Sequence, residues 1–190
     1  MSRIDLLKRN YQRICGLPWD HNIAGSQRVW LAVYDKDDER KLRLRLGIFQ
    51  EATRDTGHRW LHTDLTDVFA KWLTAPPYDD YAESYFEVPR RLGTDPLNDF
   101  KSAVAQEIIE ALAAAHPAEE TVVAISGIAS LFGFIRVSEA LPIVEPHIRG
   151  RLLVFFPGVY EQDNYRLLDA RDGWNYRAVP ILATEGEGTA

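Results

Sequence analysis

Two aspartates occupy positions where carboxylates commonly do chemistry in α/β proteins. Asp35 follows the apolar run RVWLAVY and Asp64 follows the run HRWLHT, so each carboxylate is expected just past the end of a strand. Two such carboxylates can share a magnesium ion with water and substrate oxygens. Aspartate also ends strands and caps the first turn of helices. Capping is the preferred interpretation, and a magnesium-dependent phosphoesterase or nuclease using Asp35 and Asp64 is the alternative.

Histidine and serine side chains provide the other candidate catalytic groups. His58, His62 and Asp64 would share one face of a strand, and the spacing of His62 and Asp64 suits two metal ligands. No third ligand is identifiable, so no metal site is predicted. Three serines are possible nucleophiles: Ser126, Ser130 and Ser138. Because GxSxG is absent and no histidine is indicated as a partner, we predict no catalytic residue and no cofactor.

The segment AISGIASLFGF, residues 124–134, has the strand, small-residue turn and helix order of a phosphate-binding loop. The Walker A pattern GxxxxGK[ST] is absent, and no lysine occurs between residues 102 and 190. GxGxxG is absent as well, since Gly127 and Gly133 stand alone. The segment is therefore predicted to be a tight structural connection.

Amphipathic helices are predicted around these candidate groups. One begins after Ser2 as N-cap, and a second extends from about residue 37 to 56. Thr66 can cap a short helix, and Asp95 before a proline can cap a long one. Between them, residues 74–95 form a long irregular connection or a small inserted helix. A last helix begins near residue 131 and is disturbed by Pro142.

Apolar strands alternate with these helices. The predicted strands are RVWLAVYD, HRWLHTDL, TVVAIS, RLLVFFPG and YRAVPI. Pro157 and Gly158 are expected to close the fourth strand, and Pro180 assigns the fifth to an edge because proline has no N–H to donate. The alternation predicts an α/β fold: a three-layer, mainly parallel, Rossmann-like sheet with helices on both faces and no Walker A motif.

Length and composition indicate one folded domain. The chain has 190 residues, 46% of them apolar and 26% charged, which predicts a single α/β domain over residues 1–184 and a flexible tail over 185–190. A net charge of -6 gives no general attraction to nucleic acid. The longest apolar runs are too short to span a bilayer. The single Cys15 and the lack of a signal-peptide pattern predict a cytoplasmic protein.

The stretch FFPGVYEQDNYRLLDARDGWNY, residues 155–176, is rich in aromatic and arginine residues. These residue types are enriched in protein interfaces because they combine large contact area with directional hydrogen bonds. Local packing of the stretch on itself is the competing interpretation. The predicted partner-binding residues are Tyr160, Tyr165, Arg166, Arg171, Trp174 and Tyr176. The aromatic section 78–86 is a secondary candidate surface.

Three segments carry a resemblance to a known family: RVWLAVYD, SLFGFIRVSEAL and RGRLLVFFPGVYEQDNYRLLDARDGWNY. They resemble the BrxB family, a small component of BREX phage-defence operons, over nearly the whole chain and most specifically in its C-terminal third. The resemblance implies a bacterial anti-phage system with a DNA methyltransferase, a large ATPase, a PglZ-type alkaline-phosphatase-like protein and often a Lon-like protease. It supplies no established catalytic residues.

The expected function is therefore a non-catalytic adaptor that binds the PglZ-type protein and assembles or regulates the complex. The ATPase and the methyltransferase are further possible partners, with nucleic acid contacted only indirectly and no membrane involved. A second alternative is a nucleic-acid-binding subunit. Its basic groups would be Lys36, Arg40, Lys41, Arg43 and Arg45, although the acids among them favour a solvated helix face.

Overall fold

The computed structural model describes residues 2–171 and 173–185, so most of the predicted tail lies outside the described residues. The strands are Val29–Tyr34 (β1), Arg59–Asp64 (β2), Thr121–Ser126 (β3), Arg151–Glu161 (β4), Asn164–Leu167 (β5) and Val179–Leu182 (β6). The α-helices are Arg3–Cys15 (α1), Glu39–Leu44 (α2), Leu46–Asp55 (α3), Val68–Leu73 (α4), Asp79–Glu87 (α5), Thr94–Ala113 (α6) and Val137–Val144 (α7).

The central sheet has the strand order β2-β3-β4-β1-β6, and all neighbours on this path are parallel. β5 pairs antiparallel with the end of β4. The predicted mainly parallel α/β architecture is confirmed. Pro180 lies in the edge strand β6, as predicted, and an edge strand is where a residue without an N–H is tolerated.

Alternate side chains of the strands build the two halves of the core. Val29, Leu31 and Val33 of β1 belong to a cluster with residues of α4, α6 and α7. Trp30 and Ala32 belong to a second cluster with residues of α1, α2 and α3. Both faces of β1 are therefore buried, which is why its sequence is continuously apolar. None of the helices formed by the described residues has the length and apolar character needed to cross a bilayer.

The predicted helix over residues 37–56 is broken in two. Arg45 leaves helical geometry at φ -119° and ψ 14°, so α2 ends before it and α3 begins after it. The guanidinium of Arg45 donates to Ser2 Oγ at 3.0 Å and pairs with Asp5. Ser2 and Asp5 also form the capping box of α1, which confirms the predicted N-cap. A tertiary contact at Arg45 therefore coincides with the break in the helical pattern.

Three other helix starts differ from prediction. Thr66 does not cap α4, because its amide and hydroxyl donate to Asp64. The N-cap of α6 is Gly93, which puts Asp95 inside the first turn. α7 begins at Val137, because a 3₁₀ turn and an irregular segment follow β3. The helix that a phosphate-binding loop requires directly after its turn does not form.

β4 continues through Pro157 and Gly158, where the sequence predicted its end. Pro157 lies opposite Tyr34 of β1, and its carbonyl accepts a hydrogen bond from the Leu168 amide at 2.9 Å. Gly158 then pairs with Leu167 of β5, in a hairpin closed by Gln162 and Asp163. Both turn residues have positive φ, 50° and 60°, as a two-residue type I′ loop requires. The segment predicted to bind a partner is therefore largely a β-hairpin, formed by the end of the central strand β4 and by β5.

Gly158→Ala should destabilise the protein, because an added Cβ would overlap the backbone carbonyl of Arg166. We expect a loss of roughly 1–3 kcal/mol in the free energy of unfolding, the usual cost of forcing atoms into a packed site. The matched control is Gly47→Ala in α3, where the new Cβ has no neighbour within 4 Å and a helical alanine should be neutral or stabilising. Urea unfolding measures both changes, and equal stabilities would contradict the expectation.

Candidate functional site

A buried aromatic cluster fixes the hairpin over the carboxyl end of the sheet. Phe156 of β4 meets Tyr165 and Trp174 with ring centroids 5.9 Å and 5.3 Å apart. Tyr165 and Trp174 also exchange both backbone hydrogen bonds, each at 3.0 Å, in an isolated antiparallel bridge. The chain after β5 is thereby tied back to the hairpin.

Most of the aromatic rings predicted to bind a partner contribute to this cluster. Tyr165 is fully buried and donates to the carbonyl of Ala178 at 3.2 Å, while Trp174 is 9% exposed. Tyr160 packs on Tyr165 with centroids 4.5 Å apart. Tyr176 is half-buried; burial raises the pKa of its hydroxyl, and the carboxylate of Glu145 raises that pKa further. These rings therefore pack within the protein, which is the competing interpretation that the sequence left open beside partner binding.

The predicted arginines lie outside the cluster. Arg166 is half-buried and pairs with Glu161 across the hairpin at 2.9 Å. Arg171 is exposed and forms no ion pair with the described residues. Of the six predicted partner-binding residues, Arg171 is therefore the one whose charged group is most available to another molecule.

A groove of about 560 Å³ lies beside Arg171, between residues 132–139 on one side and residues 167–171 with Trp174 on the other. We call it the carboxyl-end groove. Its lining includes Phe132, Phe134, Glu139, Arg171 and Trp174. Phe132 is 46% exposed, although it is a large aromatic side chain. The groove therefore combines an exposed ring and an exposed cation with a buried aromatic frame.

The tight turn after β3 places one wall of this groove. Gly127 adopts φ 81°, and an added Cβ there would overlap the carboxylate of Asp64. Ser130 Oγ donates to the carbonyl of Leu65 at 3.1 Å, which holds the turn against the end of β2. Phe134 stacks on Phe69 of α4 with centroids 4.2 Å apart. Exposure of Phe132 was not predicted, because the sequence indicated a helix here.

The aspartates of the magnesium alternative lie far apart and are already paired. β3 and β4 separate β2 from β1, so the ends of these strands are roughly 14 Å apart at the usual strand spacing. Asp35 pairs with Arg3 at 3.0 Å and accepts from the amide of Asp37. Asp64 pairs with Arg43 at 3.3 Å. Within the described part of the chain, no three His, Cys, Asp or Glu side chains are grouped to hold a metal ion.

Asp38 is a buried carboxylate near Asp35, and both residues pair with Arg3. Asp38 is 3% exposed and pairs with Arg3 and Lys41, each at 2.8 Å. The hydrogen bond from Lys41 lowers the pKa of the Asp38 carboxyl; burial opposes this, and the charges of Arg3 and Lys41 lower the pKa further, so the net shift is downward. The carboxylate therefore stabilises the fold in its ionised form.

Ser126 has the histidine partner that the sequence did not indicate. Its Oγ lies 2.9 Å from Nε2 of His62 on the neighbouring strand β2. Ser126 is buried, and Asp64 is bound by Arg43 and by the amide and hydroxyl of Thr66. The pair therefore satisfies a buried hydroxyl, as buried polar groups generally require.

A family model described as BREX protein BrxB matches residues 61–181, which is more than half of the chain. The chain belongs to the BrxB family. This family belongs to the BREX phage-defence systems. The part of the chain that matches the BrxB model begins in β2, ends in β6 and includes both walls of the carboxyl-end groove. Neither a curated protein nor a solved structure matches the chain.

Asp38→Asn should lower the free energy of unfolding of this BrxB-family protein by about 1–2 kcal/mol near neutral pH, because the buried carboxylate loses its ion pairs with the exposed side chains of Arg3 and Lys41. The folded pKa lies below the usual 3.8, so the stabilisation is complete above that pH and is lost as pH falls further. The difference between wild type and Asp38→Asn should therefore shrink below pH 3.8. Exposed Asp37→Asn is the control, and unfolding followed by circular dichroism from pH 7 to 3 measures both.

Magnesium should bind no specific site formed by Asp35 and Asp64, because the two carboxylates are widely separated and each is held by an arginine. Calorimetric titration with magnesium or manganese should give the same trace for wild type, Asp35→Asn and Asp64→Asn. A saturable signal lost in either variant would contradict this and would favour the phosphoesterase alternative.

Proposed function

We propose that this BrxB-family chain is a non-catalytic assembly subunit of a BREX phage-defence complex. In this proposal it binds a PglZ-type alkaline-phosphatase-like protein through the carboxyl-end groove. The observation that carries the proposal is the exposure of Phe132 and Arg171 beside a rigid, buried aromatic frame. The groove lies within the region that matches the family model, which supports a role for it in a function that family members share.

The chemistry of the groove suits a protein partner. Aromatic and arginine side chains dominate binding energy in interfaces when they enter pockets that exclude water. Tyr165 and Trp174 hold the hairpin wall by packing and by paired backbone hydrogen bonds. Such preorganisation lowers the conformational entropy lost on binding. A partner segment with an apolar side chain for Phe132 and a carboxylate for Arg171 would satisfy both exposed groups.

The charge pattern favours a protein partner over a nucleic acid. Four of the five basic residues considered for nucleic acid binding are held in ion pairs: Lys36 with Asp169, Lys41 with Asp38, Arg43 with Glu39 and Asp64, and Arg45 with Asp5. Nucleic-acid affinity depends on cations that can neutralise phosphates and release counterions. Cations already neutralised by carboxylates contribute little to such binding.

Phe132→Asp combined with Arg171→Glu should weaken binding to the purified PglZ-type protein at least about tenfold, the effect of losing ~1.4 kcal/mol at an interface hot spot. The matched control is Leu17→Asp combined with Arg13→Glu. This pair also changes an exposed apolar and an exposed basic residue, but it lies at the end of α1, before β1 begins.

Calorimetric titration and co-purification from cells expressing both proteins measure the two double variants. Circular dichroism establishes that each variant is folded before binding is compared. Wild-type affinity of a folded Phe132→Asp, Arg171→Glu protein would remove the carboxyl-end groove as the binding surface.

A further inference from the structure

α5 and the residues that follow it form an exposed patch distinct from the carboxyl-end groove. Phe86 is 51% exposed and Val88 is 58% exposed, the two of them separated by one residue. Six exposed charged side chains flank them. The acids are Asp79, Asp80, Glu83 and Glu87, and the bases are Arg90 and Arg91. We call these eight residues the α5 patch.

The opposite side of α5 is anchored to the rest of the protein. Ala82 and Tyr85 are buried in a small cluster with Leu73 of α4. Tyr85 also contacts Phe69, with ring centroids 5.6 Å apart. Residues three and four apart share a helix face, so Glu83, Phe86 and Glu87 point together away from this anchor. The α5 patch is therefore held on an ordered element.

The charged side chains of the α5 patch are exposed and available to another molecule. None of its six charged side chains forms an ion pair with any residue that the structure describes. Around α2, by contrast, Lys41, Arg43 and Arg45 each meet a carboxylate. Two exposed apolar side chains lie between these unpaired acids and bases along the chain.

We infer that the α5 patch binds a second copy of this chain in a two-fold symmetric dimer. A two-fold interface brings a surface against itself in the reverse direction, so residue i of one copy meets residue j of the other and the reverse. Acids at one end of the patch would then meet the arginines of the partner twice. Phe86 and Val88 would lie near the symmetry axis and lose contact with water.

Charge complementarity favours a second copy over a uniformly charged occupant. A uniformly acidic partner would oppose Asp79, Asp80, Glu83 and Glu87, and a uniformly basic one would oppose Arg90 and Arg91. Like charges facing each other across an interface repel and disfavour the complex. A reversed copy of the same patch matches both ends. The inference does not depend on the proposed function, because it uses none of the groove residues.

Sedimentation velocity on the purified chain alone tests the dimer. Wild type should shift from 21.7 kDa toward twice that mass as its concentration rises. Added salt should reverse the shift, because exposed charge pairs are screened. A single-chain mass at the highest soluble concentration in low salt would overturn the inference, whatever the outcome of the PglZ-binding experiment.

Two complementary charge reversals make the test specific to the α5 patch. Arg90→Glu with Arg91→Glu makes the patch wholly acidic, and Glu83→Arg with Glu87→Arg makes most of it basic. Each variant alone should dimerise at least about tenfold more weakly than wild type, because like charges now meet across the interface. Mixed in equal amounts, the two variants should form a heterodimer, since both contacts become attractive again.

The matched control reverses charges elsewhere: Arg13→Glu on α1 should leave dimerisation unchanged. Circular dichroism verifies that each variant keeps its helix content. Restored association in the mixture alone would support the α5 patch as the interface. Unchanged association of both charge-reversed variants, or no recovery on mixing them, would overturn it.

Discussion

The packing of Tyr165 and Trp174 against Phe156 is the interaction on which the shape of the candidate site depends. It ties a hairpin and its following segment to a central strand of the sheet. Edge-to-face ring contacts add about 0.5–1.5 kcal/mol each beyond the area they bury. Without this cluster, residues 167–171 and Trp174 would lose their support and the carboxyl-end groove would lose one wall. Aromatic residues in this stretch thus support the segment that carries Arg171.

The carboxyl end of the sheet is organised by charge pairing. In open α/β sheets this edge is where ligands usually bind. Here the acids Asp35, Asp38 and Asp64 each meet an arginine or lysine, so these carboxylates are already engaged within the protein. Phe69 connects the two candidate surfaces, because it stacks on Phe134 of the groove and also contacts Tyr85 of α5. One packed layer therefore supports both the carboxyl-end groove and the α5 patch.

The fold was largely predictable because strand and helix periodicities are local properties of the sequence. The parallel strands β1 to β3, the capped α1 and the edge position of Pro180 all follow from such signals. The break at Arg45 did not, since it involves a contact with Ser2 and Asp5 about forty residues away. The continuation of β4 past Pro157 also depends on pairing, first with β1 and then with β5. The local sequence pattern of a helix or strand does not show which distant residues or strands it will contact.

The site was predictable in composition and less so in geometry. The same residue types serve an interface and a core, so the sequence could not separate the buried Tyr165 from the exposed Arg171. The contact of His62 with Ser126 required knowledge that β2 and β3 are neighbours. Exposure of Phe132 follows from a turn that replaces a predicted helix.

The length of β4 has a consequence for how this family can vary. Its 11 residues belong first to the parallel sheet and then to the hairpin, with no loop between the two parts. Side chains alternate between faces along a strand, so inserting or deleting one residue would turn every later side chain to the opposite face. Only changes by an even number of residues would preserve which side chains point inward. Differences between family members in the hairpin should therefore be substitutions or changes in the length of its turn. The strand itself should change in length only by an even number of residues.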